Sequence, residues 1–278
     1  MKVRATLAAT LLVIGATLAL AIAAGQADAG ESPVPDPAGS TPRPGSAAAV
    51  QLEANRDPAV VAAGEQLYLT GCVSCHGVGG KGTPGYPSLV GVGAASADFF
   101  LRTGRMPLAA PAPQAPAKPP AYTDEQIIQL VAYVASLGDG PPVPDIRPER
   151  GDLTEGAQLY LANCAACHNS TGIGGALSHG NQAPPLLNVA PTQIGEAPRV
   201  GPGQMPVFGP DTLSDEQLDS IVRYVLYLQD PEHPGGLRIG SAGPVPEGLV
   251  AWLVGLGGLV LIARWITRER REHRRAHG

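Results

Sequence analysis

Four cysteines and two histidines form the two groups of residues in this sequence whose spacing could do chemistry. They occur as Cys72-Val-Ser-Cys75-His76 and Cys164-Ala-Ala-Cys167-His168. Both groups have the form C-x-x-C-H, the attachment sequence of c-type haem. Two thiols separated by two residues can add to the two vinyl groups of one porphyrin, and the histidine that follows brings an imidazole to the iron. The sequence therefore predicts two covalently bound haem c groups, with the four cysteines as attachment residues and the two histidines as proximal axial ligands.

A C-x-x-C pair also occurs in zinc sites and in redox dithiols of the thioredoxin type. All four cysteines of the protein lie in the two motifs, and each motif continues directly into histidine, which neither alternative requires. The sequence therefore favours two haem sites over a zinc site or a redox dithiol.

The flanks of the two motifs form an internal repeat. Both flanks read G-x-Q-L-Y-L-x-x-C, over 64–72 and 156–164. Farther along, Thr123-Asp-Glu-Gln126 and Ser214-Asp-Glu-Gln217 each begin an apolar run, and a hydroxyl with a glutamine three residues later is the pattern of a capping box. The runs that follow have the i, i+3, i+4, i+7 stripe of an amphipathic helix. Each repeat is predicted to be a helix leading into C-x-x-C-H, a loop-rich middle and a closing helix.

This order of elements resembles the class I cytochrome c fold, over about 58–137 and 153–229. The resemblance implies that the first and last helices of each repeat cross and that the haem lies in the angle between them. In that family a proline carbonyl accepts the second N–H of the proximal imidazole, which fixes the ring and raises its basicity. The resemblance assigns this role to Pro87 and Pro184.

Two methionines are the candidates for the other axial position of each iron. Apart from Met1 the protein contains only Met106 and Met205, and each lies between its C-x-x-C-H motif and its closing helix. A methionine is often only a flexible core residue, but one in the matching loop of each repeat favours distal ligation. Such a His/Met pair raises the potential and leaves no open site for a substrate. It predicts electron transfer rather than oxygen or peroxide chemistry, with no catalytic residue in the chain.

Other residues of the two repeats receive simpler interpretations. His179 is an alternative ligand in the second repeat, but the first repeat has no histidine at the matching place, so we interpret it as an exposed loop residue; whether it competes stays open. Tyr68, Tyr133, Tyr160 and Tyr224 are interpreted as ordinary half-buried aromatics. Aromatic residues are only 4% of the chain, so a buried porphyrin is expected to supply apolar mass that these small domains lack.

The fold class is predicted to be mainly α, with two tandem class I cytochrome c-like haem domains, a C-terminal transmembrane helix and an N-terminal signal or anchor segment. Proline and glycine concentrate in the predicted linkers. The predicted boundaries are a signal peptide or membrane anchor at 1–29, a Pro/Ala-rich linker at 30–57, the first domain at 58–140, a Pro-rich linker at 141–150, the second domain at 151–232, a linker at 233–247, the transmembrane helix at 248–266 and an Arg-rich tail at 267–278.

Both ends of the chain carry membrane signals. The apolar segment 5–24 follows two basic residues and precedes an A-x-A pattern at 27–29, so it is either a cleaved signal peptide or a retained anchor. The apolar segment 248–266 is long enough to span a bilayer and has Trp252 and Trp265 near its ends. Six arginines at and beyond Arg264 predict a cytoplasmic tail, with the haem domains on the extracytoplasmic side of the plasma membrane.

The segment between the two membrane signals is acidic. It contains eleven Lys and Arg against twenty-one Asp and Glu over 30–247, a net charge of about −10. This charge excludes a nucleic-acid partner. It also favours permanent contacts with a partner over docking as a basic, soluble cytochrome.

Taken together, this layout resembles the dihaem cytochrome c (cytochrome cc) subunits of the actinobacterial cytochrome bcc menaquinol:cytochrome c reductases. The matching features are the export segment, the two tandem C-x-x-C-H units, the transmembrane helix and the Arg-rich tail. The resemblance implies that the chain is an electron carrier within a proton-translocating quinol–cytochrome c reductase. Its implied partners are the cytochrome b subunit, the Rieske iron–sulfur subunit and, in a supercomplex, cytochrome c oxidase.

By the same resemblance, electrons pass from menaquinol through the Rieske protein to the first haem, then to the second haem and into the oxidase. Two alternatives remain open at this point. One is an independent membrane-tethered dihaem carrier that serves another dehydrogenase or oxidase. The other is a dihaem peroxidase, against which the two methionines argue.

Overall fold

The computed structural model describes residues 42–112, 114–232 and 244–276. The predicted signal or anchor segment at 1–29 and most of the predicted linker at 233–247 lie outside the described residues. Within them, the two repeats form one compact unit that ends at Pro231, and the C-terminal helix belongs to a second unit.

The first repeat is a set of helices joined by loops. Its helices are α1 (Ala47–Arg56), α2 (Pro58–Gly71), α3 (Val73–His76), α4 (Gly93–Arg102) and α5 (Asp124–Ser136), with a 3-10 turn at Val78–Gly80. The start of α2 is fixed by Asp57, whose side chain accepts the Ala59 N–H at 2.8 Å, and by Pro58 in the first turn. The predicted capping box before α5 is confirmed, because Thr123 and Gln126 cap each other's backbone N–H.

The second repeat has the same order of elements with a small hairpin added. It contains α6 (Leu153–Asn163), α7 (Ala165–His168), α8 (Pro191–Val200) and α9 (Asp215–Gln229), with 3-10 turns at Pro148–Arg150 and Ser178–Gly180. Strands β1 (Gly175–Ala176) and β2 (Gln182–Ala183) pair antiparallel, with Gly175 opposite Ala183. The capping box of Ser214 and Gln217 before α9 is also confirmed.

A glycine lets the helix before each C-x-x-C-H motif cross the closing helix of its repeat at close range. A Cβ on Gly64 of α2 would lie 1.9 Å from the carbonyl oxygen of Gln129 in α5. A Cβ on Gly156 of α6 would lie 1.9 Å from the carbonyl oxygen of Ser220 in α9. Both distances are shorter than any contact that a real Cβ makes, so the two crossings require glycine. The same position of the repeat thus sets the same crossing twice.

Each crossing is lined by a pair of tyrosine rings. The ring centroids of Tyr68 and Tyr133 are 5.0 Å apart, and those of Tyr160 and Tyr224 are 5.3 Å apart. The expectation of half-buried aromatics holds for Tyr224 and is wrong for Tyr133, which is buried, and for Tyr68 and Tyr160, which are fully buried. The hydroxyls of Tyr68 and Tyr160 have partners, since they donate to the carbonyls of Gly77 and Asn169 at 2.6 and 2.7 Å.

The apolar stripes predicted for the two closing helices form the centres of two separate cores. The first core includes the buried residues Tyr68, Ala94, Leu101, Ile127, Leu130, Val131 and Tyr133. The second includes Tyr160, Ile194, Leu213, Leu218, Ile221, Val222 and Val225. Each closing helix therefore buries one face, as its periodicity indicates.

The predicted linker at 30–57 is wrong over its last part, where the structure has α1. Ser46 caps this helix by accepting the Ala49 N–H, and the alanine-rich sequence that follows has high helix propensity. The helix packs against α5, and Gln51 donates from its buried amide to the Ile128 carbonyl at 3.2 Å. Residues 47–56 are therefore part of the first domain's packed structure.

The proline-rich segment 141–150 is bound to both repeats along its length. Val143 is buried in the first core, and Ile146 packs on the second. Between them, the Asp145 carboxylate accepts the backbone N–H of Arg43 at 2.9 Å and the side chain of Arg147 at 2.8 Å. This segment, which we call the strap, is more than the stiff spacer that its prolines predict.

Two further contacts join the repeats. Helix α4 of the first repeat packs against α8 of the second. In the loop before α5, the Gln114 side chain forms a pair of hydrogen bonds with the backbone of Gln182 in β2, at 2.6 and 3.0 Å. These two hydrogen bonds attach the Gln114 side chain to the edge of the hairpin formed by β1 and β2. The strap, the helix pair and Gln114 together fix one repeat on the other.

The C-terminal helix, α10, extends over Pro244–Ala276. Among the described residues it is the one helix that is long and apolar enough to cross a membrane, over Gly248–Arg268 with a mean hydropathy of 2.0. Trp252 and Trp265 are exposed on it. The helix continues beyond the predicted span of 248–266 at both ends, which fits a transmembrane helix that carries its arginine-rich tail as a helical extension.

We predict that Gly64→Ala and Gly156→Ala each destabilise their own repeat, because the added methyl group collides with a backbone carbonyl that cannot move away. The expected loss is about 1–3 kcal/mol or more. Thermal unfolding of the purified holoprotein measures it. Gly209→Ala is the control, since a Cβ there meets no atom within 4 Å among the described residues. Equal melting temperatures for all three variants would contradict the prediction.

Candidate haem sites

Each C-x-x-C-H motif forms a single helical turn directly after a longer helix, which is α2 in the first repeat and α6 in the second. The Cys72 N–H still bonds the Tyr68 carbonyl at 2.8 Å, and the His76 N–H then bonds the Cys72 carbonyl at 2.9 Å. The second motif has the same two contacts with the same distances, at Cys164 and His168. One helical turn brings the cysteines and the histidine to the same region, and none of the four cysteines forms a disulfide.

A proline carbonyl fixes the tautomer of each imidazole. The Nδ1 atom of His76 lies 2.9 Å from the Pro87 carbonyl oxygen, and that of His168 lies 3.0 Å from the Pro184 carbonyl oxygen. A carbonyl oxygen only accepts, so Nδ1 carries the hydrogen and Nε2 keeps its lone pair for a metal. The two hydrogen bonds expected from the class I resemblance are confirmed.

The loop after each motif is folded so that it presents this carbonyl. In the first repeat, the N–H groups of Gly82 and Leu89 donate to the carbonyls of His76 and Gly80, each at 2.7 Å. In the second repeat, Gly174 donates to His168 at 2.9 Å, and Leu186 donates to Gly172 at 2.7 Å. These hydrogen bonds fix the backbone before and after the proline of each repeat. The imidazole orientation is therefore held by backbone geometry.

The environments of the two imidazoles differ. His168 is buried, whereas His76 is partly exposed. Burial lowers the pKa of His168, and its bond to the Pro184 carbonyl partly raises it. The net lowering of the pKa favours the neutral imidazole, which is the form that coordinates a metal.

Both motifs open into one continuous cavity of about 890 Å³. Its walls are largely apolar, and its lining contains the attachment cysteines, the two histidines and both methionines of the repeats. The members of these three kinds that line it are Cys72, Cys75, His76, Met106, Cys164, Cys167, His168 and Met205. Thiols, imidazoles and thioethers within an apolar wall are the set that two covalently attached haems require, so the residues present fit these groups.

Backbone hydrogen bonds hold both methionine loops, in the first repeat to α4 and in the second within the loop itself. The Met106 N–H donates to the Phe100 carbonyl at 3.0 Å, and the Met205 N–H donates to the Pro202 carbonyl at 3.2 Å. Met106 also packs on the first core. His179, the alternative ligand, is exposed on a turn with φ of +59° and does not line the cavity.

Comparison with known proteins agrees with this geometry. Residues 61–138 match the family described as cytochrome c, and residues 151–225 match the family described as cytochrome c oxidase, cbb3-type, subunit III. The chain is 43% identical over 217 residues to a cytochrome bc1 complex cytochrome c subunit of Mycobacterium tuberculosis, covering 75% of this chain and 78% of the relative. It is 36% identical over 228 residues to the subunit of the same name from Corynebacterium efficiens, covering 76% and 77%.

The chain belongs to the family of cytochrome bc1 complex cytochrome c subunits. It is therefore an electron carrier of a respiratory chain with two cytochrome c domains, each of which binds a covalent haem c. A weaker similarity, 30% identity over 141 residues, relates it to the cbb3-type cytochrome c oxidase subunit CcoP of an Azospirillum species.

In this cytochrome, one arginine per repeat ties the methionine side of the cavity to the closing helix. Arg199 donates to the carbonyls of Phe208 and Leu213 at 2.9 and 2.7 Å and to the Asp215 carboxylate at 2.6 Å. Arg102 donates in the same way to Asp124 at 2.9 Å, the equivalent first residue of α5. Sequence analysis missed this pair, although an arginine before each methionine and an aspartate in each capping box were visible as a repeat.

The same side of the cavity carries a second missed cation. Arg105 lines the cavity beside Arg102, and its guanidinium lies 5.0 Å from the centre of the Phe99 ring. Burial lowers the pKa of Arg105, but an arginine remains charged under all physiological conditions. The cytochrome therefore has fixed positive charge at the cavity, where acidic groups of a bound cofactor would be attracted.

We predict that Arg199→Lys destabilises the second domain, because one ammonium group cannot replace a planar fork that serves two carbonyls and a carboxylate. Each buried carbonyl left without a donor costs about 1–3 kcal/mol. Thermal unfolding of the holoprotein and hydrogen exchange over 198–213 measure the effect.

Arg43→Lys is the matched control, since its ion pair with Glu149 is about half-exposed on both sides and should contribute less than about 1 kcal/mol. A loss for Arg199→Lys no greater than for this control would contradict the prediction.

Proposed function

We propose that this chain conducts electrons from a Rieske iron–sulfur subunit to a cytochrome c oxidase, through two haems that it holds in one cavity. The observation that carries the proposal is the cavity lining that the two repeats share. Both attachment motifs, both methionines and both histidines, whose imidazoles are hydrogen-bonded to proline carbonyls, line a single continuous cavity. When bound, haem c supplies a one-electron Fe(III)/Fe(II) couple.

Each residue of the site receives one role. Cys72 and Cys75 would form the thioether links of the first haem, and Cys164 and Cys167 those of the second. The Nε2 atoms of His76 and His168 would be the proximal ligands, because their Nδ1 atoms are bound to proline carbonyls. The sulfur atoms of Met106 and Met205 would be the distal ligands. With both axial positions occupied by the chain, a substrate would find no open site, which favours electron transfer over peroxidase chemistry.

The chain's own residues tune this site by exclusion of water and by charge. The apolar lining lowers the dielectric constant in the cavity. A change in the charge of a bound haem would therefore be stabilised mainly by fixed charged and polar groups of the protein. Arg105 supplies positive charge at the cavity, whereas Arg102 is already paired with Asp98 and Asp124. We propose that Arg105 binds a propionate group of the haem, because an arginine fork matches a carboxylate.

The family and the apolar helix α10 support a proposal for the assembly partners. We propose that α10 crosses the plasma membrane and docks against the cytochrome b subunit of the complex, with the two haem domains outside and the Arg-rich tail in the cytoplasm. Ala251, Gly255 and Gly258 form a stripe of small residues on this helix, and a Cβ at either glycine meets no atom within 4 Å among the described residues. Small residues allow a second transmembrane helix to approach closely.

We predict that Met106→Leu and Met205→Leu each remove one sulfur–iron charge-transfer band and lower the reduction potential of one haem. Leucine has a similar volume but no lone pair for the iron, so the fold is kept and the ligand is lost. Near-infrared absorption and redox titration of the holoprotein measure both effects. His179→Ala is the control and should leave both bands in place. Two unchanged spectra for the methionine variants would refute their role as ligands.

We predict that removal of 248–278 separates the haem domains from the rest of the complex. Gentle detergent purification followed by haem spectroscopy should find b-type and a-type haem with the full-length chain and neither with the truncated one. A chain that keeps α10 but carries Gly255→Leu and Gly258→Leu tests the small-residue face, and it should stay in the membrane while binding less cytochrome b. Full recovery of b-type haem with the truncated chain would contradict the proposed docking.

A further inference from the structure

The contact between the two repeats buries a carboxyl group without a partner. Glu196 of α8 lies where α8 packs against α4, and its side chain is 0% exposed. Neither of its carboxyl oxygens has a hydrogen-bond partner in the part of the chain that the structure describes. A charged carboxylate in such a place is strongly disfavoured, so Glu196 needs either a counter-charge or a proton.

The charged groups that face Glu196 from α4 do not provide that counter-charge. Asp98 is 3% exposed, and both of its oxygens accept from the Arg102 Nε, at 2.8 and 3.0 Å. Arg102 also donates to Asp124 at 2.9 Å. One guanidinium therefore already serves two carboxylates. Burial raises the pKa of Glu196 well above its ordinary value, and Asp98 raises it further, while Arg102 lowers it by a smaller effect.

The charged groups of the other elements near α8 are engaged with one another. Asp219 lies on α9, and Asp145 and Arg147 lie on the strap. The Arg147 side chain pairs with Asp145, and its backbone N–H donates to Asp219 at 2.7 Å. Asp98 and Arg102 are the charged groups in the described chain whose field acts on Glu196.

We propose that Glu196 is a proton-binding site built into the contact between the two haem domains, and that it shares its proton with the Asp98 carboxylate. A neutral Glu196 donates its O–H to an Asp98 oxygen, which gives the Glu196 hydroxyl a partner and adds one acceptor contact to the Asp98 carboxylate. The ligand is a single proton, and it is released when the two domains part and Glu196 reaches water. This inference goes beyond the proposed function, because it depends on the contact of α4 and α8 and not on haem ligation.

The proton makes the stability of this contact depend on pH in a defined direction. Since the pKa of Glu196 is raised in the folded chain, the folded form keeps the proton at pH values where the unfolded form has lost it. The stability is complete below the ordinary pKa of 4.5 and decreases as pH rises from there towards the raised pKa. Within that window, the unfolding equilibrium constant increases about tenfold for each pH unit.

Infrared spectroscopy of the full-length holoprotein at neutral pH tests the protonation directly. The wild-type chain should have a protonated-carboxyl C=O band that shifts on deuteration, and Glu196→Gln should lack it. Asp219→Asn is the matched control, because burial raises the pKa of Asp219 only to about 6, so the band should survive. Gln114→Ala removes a different contact between the repeats and should also keep the band. A wild-type spectrum identical to that of Glu196→Gln overturns the proposal.

A pH series of thermal unfolding gives an independent measurement. Glutamine imitates the protonated acid, so Glu196→Gln should match the wild type near pH 4 and become progressively more stable than it as pH rises. A stability difference that does not change with pH overturns the proposal. If Glu196→Gln does not accumulate, Asp98→Asn replaces it: the infrared band should then shift or disappear because the acceptor has changed, and an unshifted band counts against a shared proton.

Discussion

The close crossing of the helix before the C-x-x-C-H motif and the closing helix, in each repeat, is the constraint on which the rest of the structure depends. Gly64 and Gly156 bring backbone against backbone. The C-x-x-C-H motif begins at the residue directly after one of the two crossing helices, which is α2 in the first repeat and α6 in the second. The positions of cysteine and histidine are therefore set by the crossing itself.

Around this crossing, the chain satisfies its polar groups in a way that orients the site. The buried tyrosines bond the carbonyls of Gly77 and Asn169, each of which directly follows its histidine. The proline carbonyls orient the imidazoles, and Arg199 closes the methionine side of the second domain. Each of these contacts joins a helix to a loop. The loops carry the functional residues, and the helices hold them in place.

The two repeats do more than lie side by side. The strap, the α4–α8 pair and the Gln114 contact hold them as one body with one cavity. A dihaem carrier needs its two cofactors at a constant separation, since electron transfer depends on distance. The Asp98–Glu196 pair at the centre of this body places a proton where apolar packing would have sufficed, so the contact responds to pH as well as to mutation.

The sequence by itself determined the chemistry and the order of the elements. The C-x-x-C-H motifs, the capping boxes and the apolar stripes are local, because cap and partner are three residues apart and a stripe lies on one helix. The tertiary structure alone decided the packing of the helix at 47–56 on α5, the binding of the strap to both repeats and the contacts of Gln114 and Glu196. The partners in these contacts lie far apart in the chain, as Gln114 and Gln182 do, and no periodicity connects them. Their meeting depends on how the two repeats pack, which no local pattern of residues specifies.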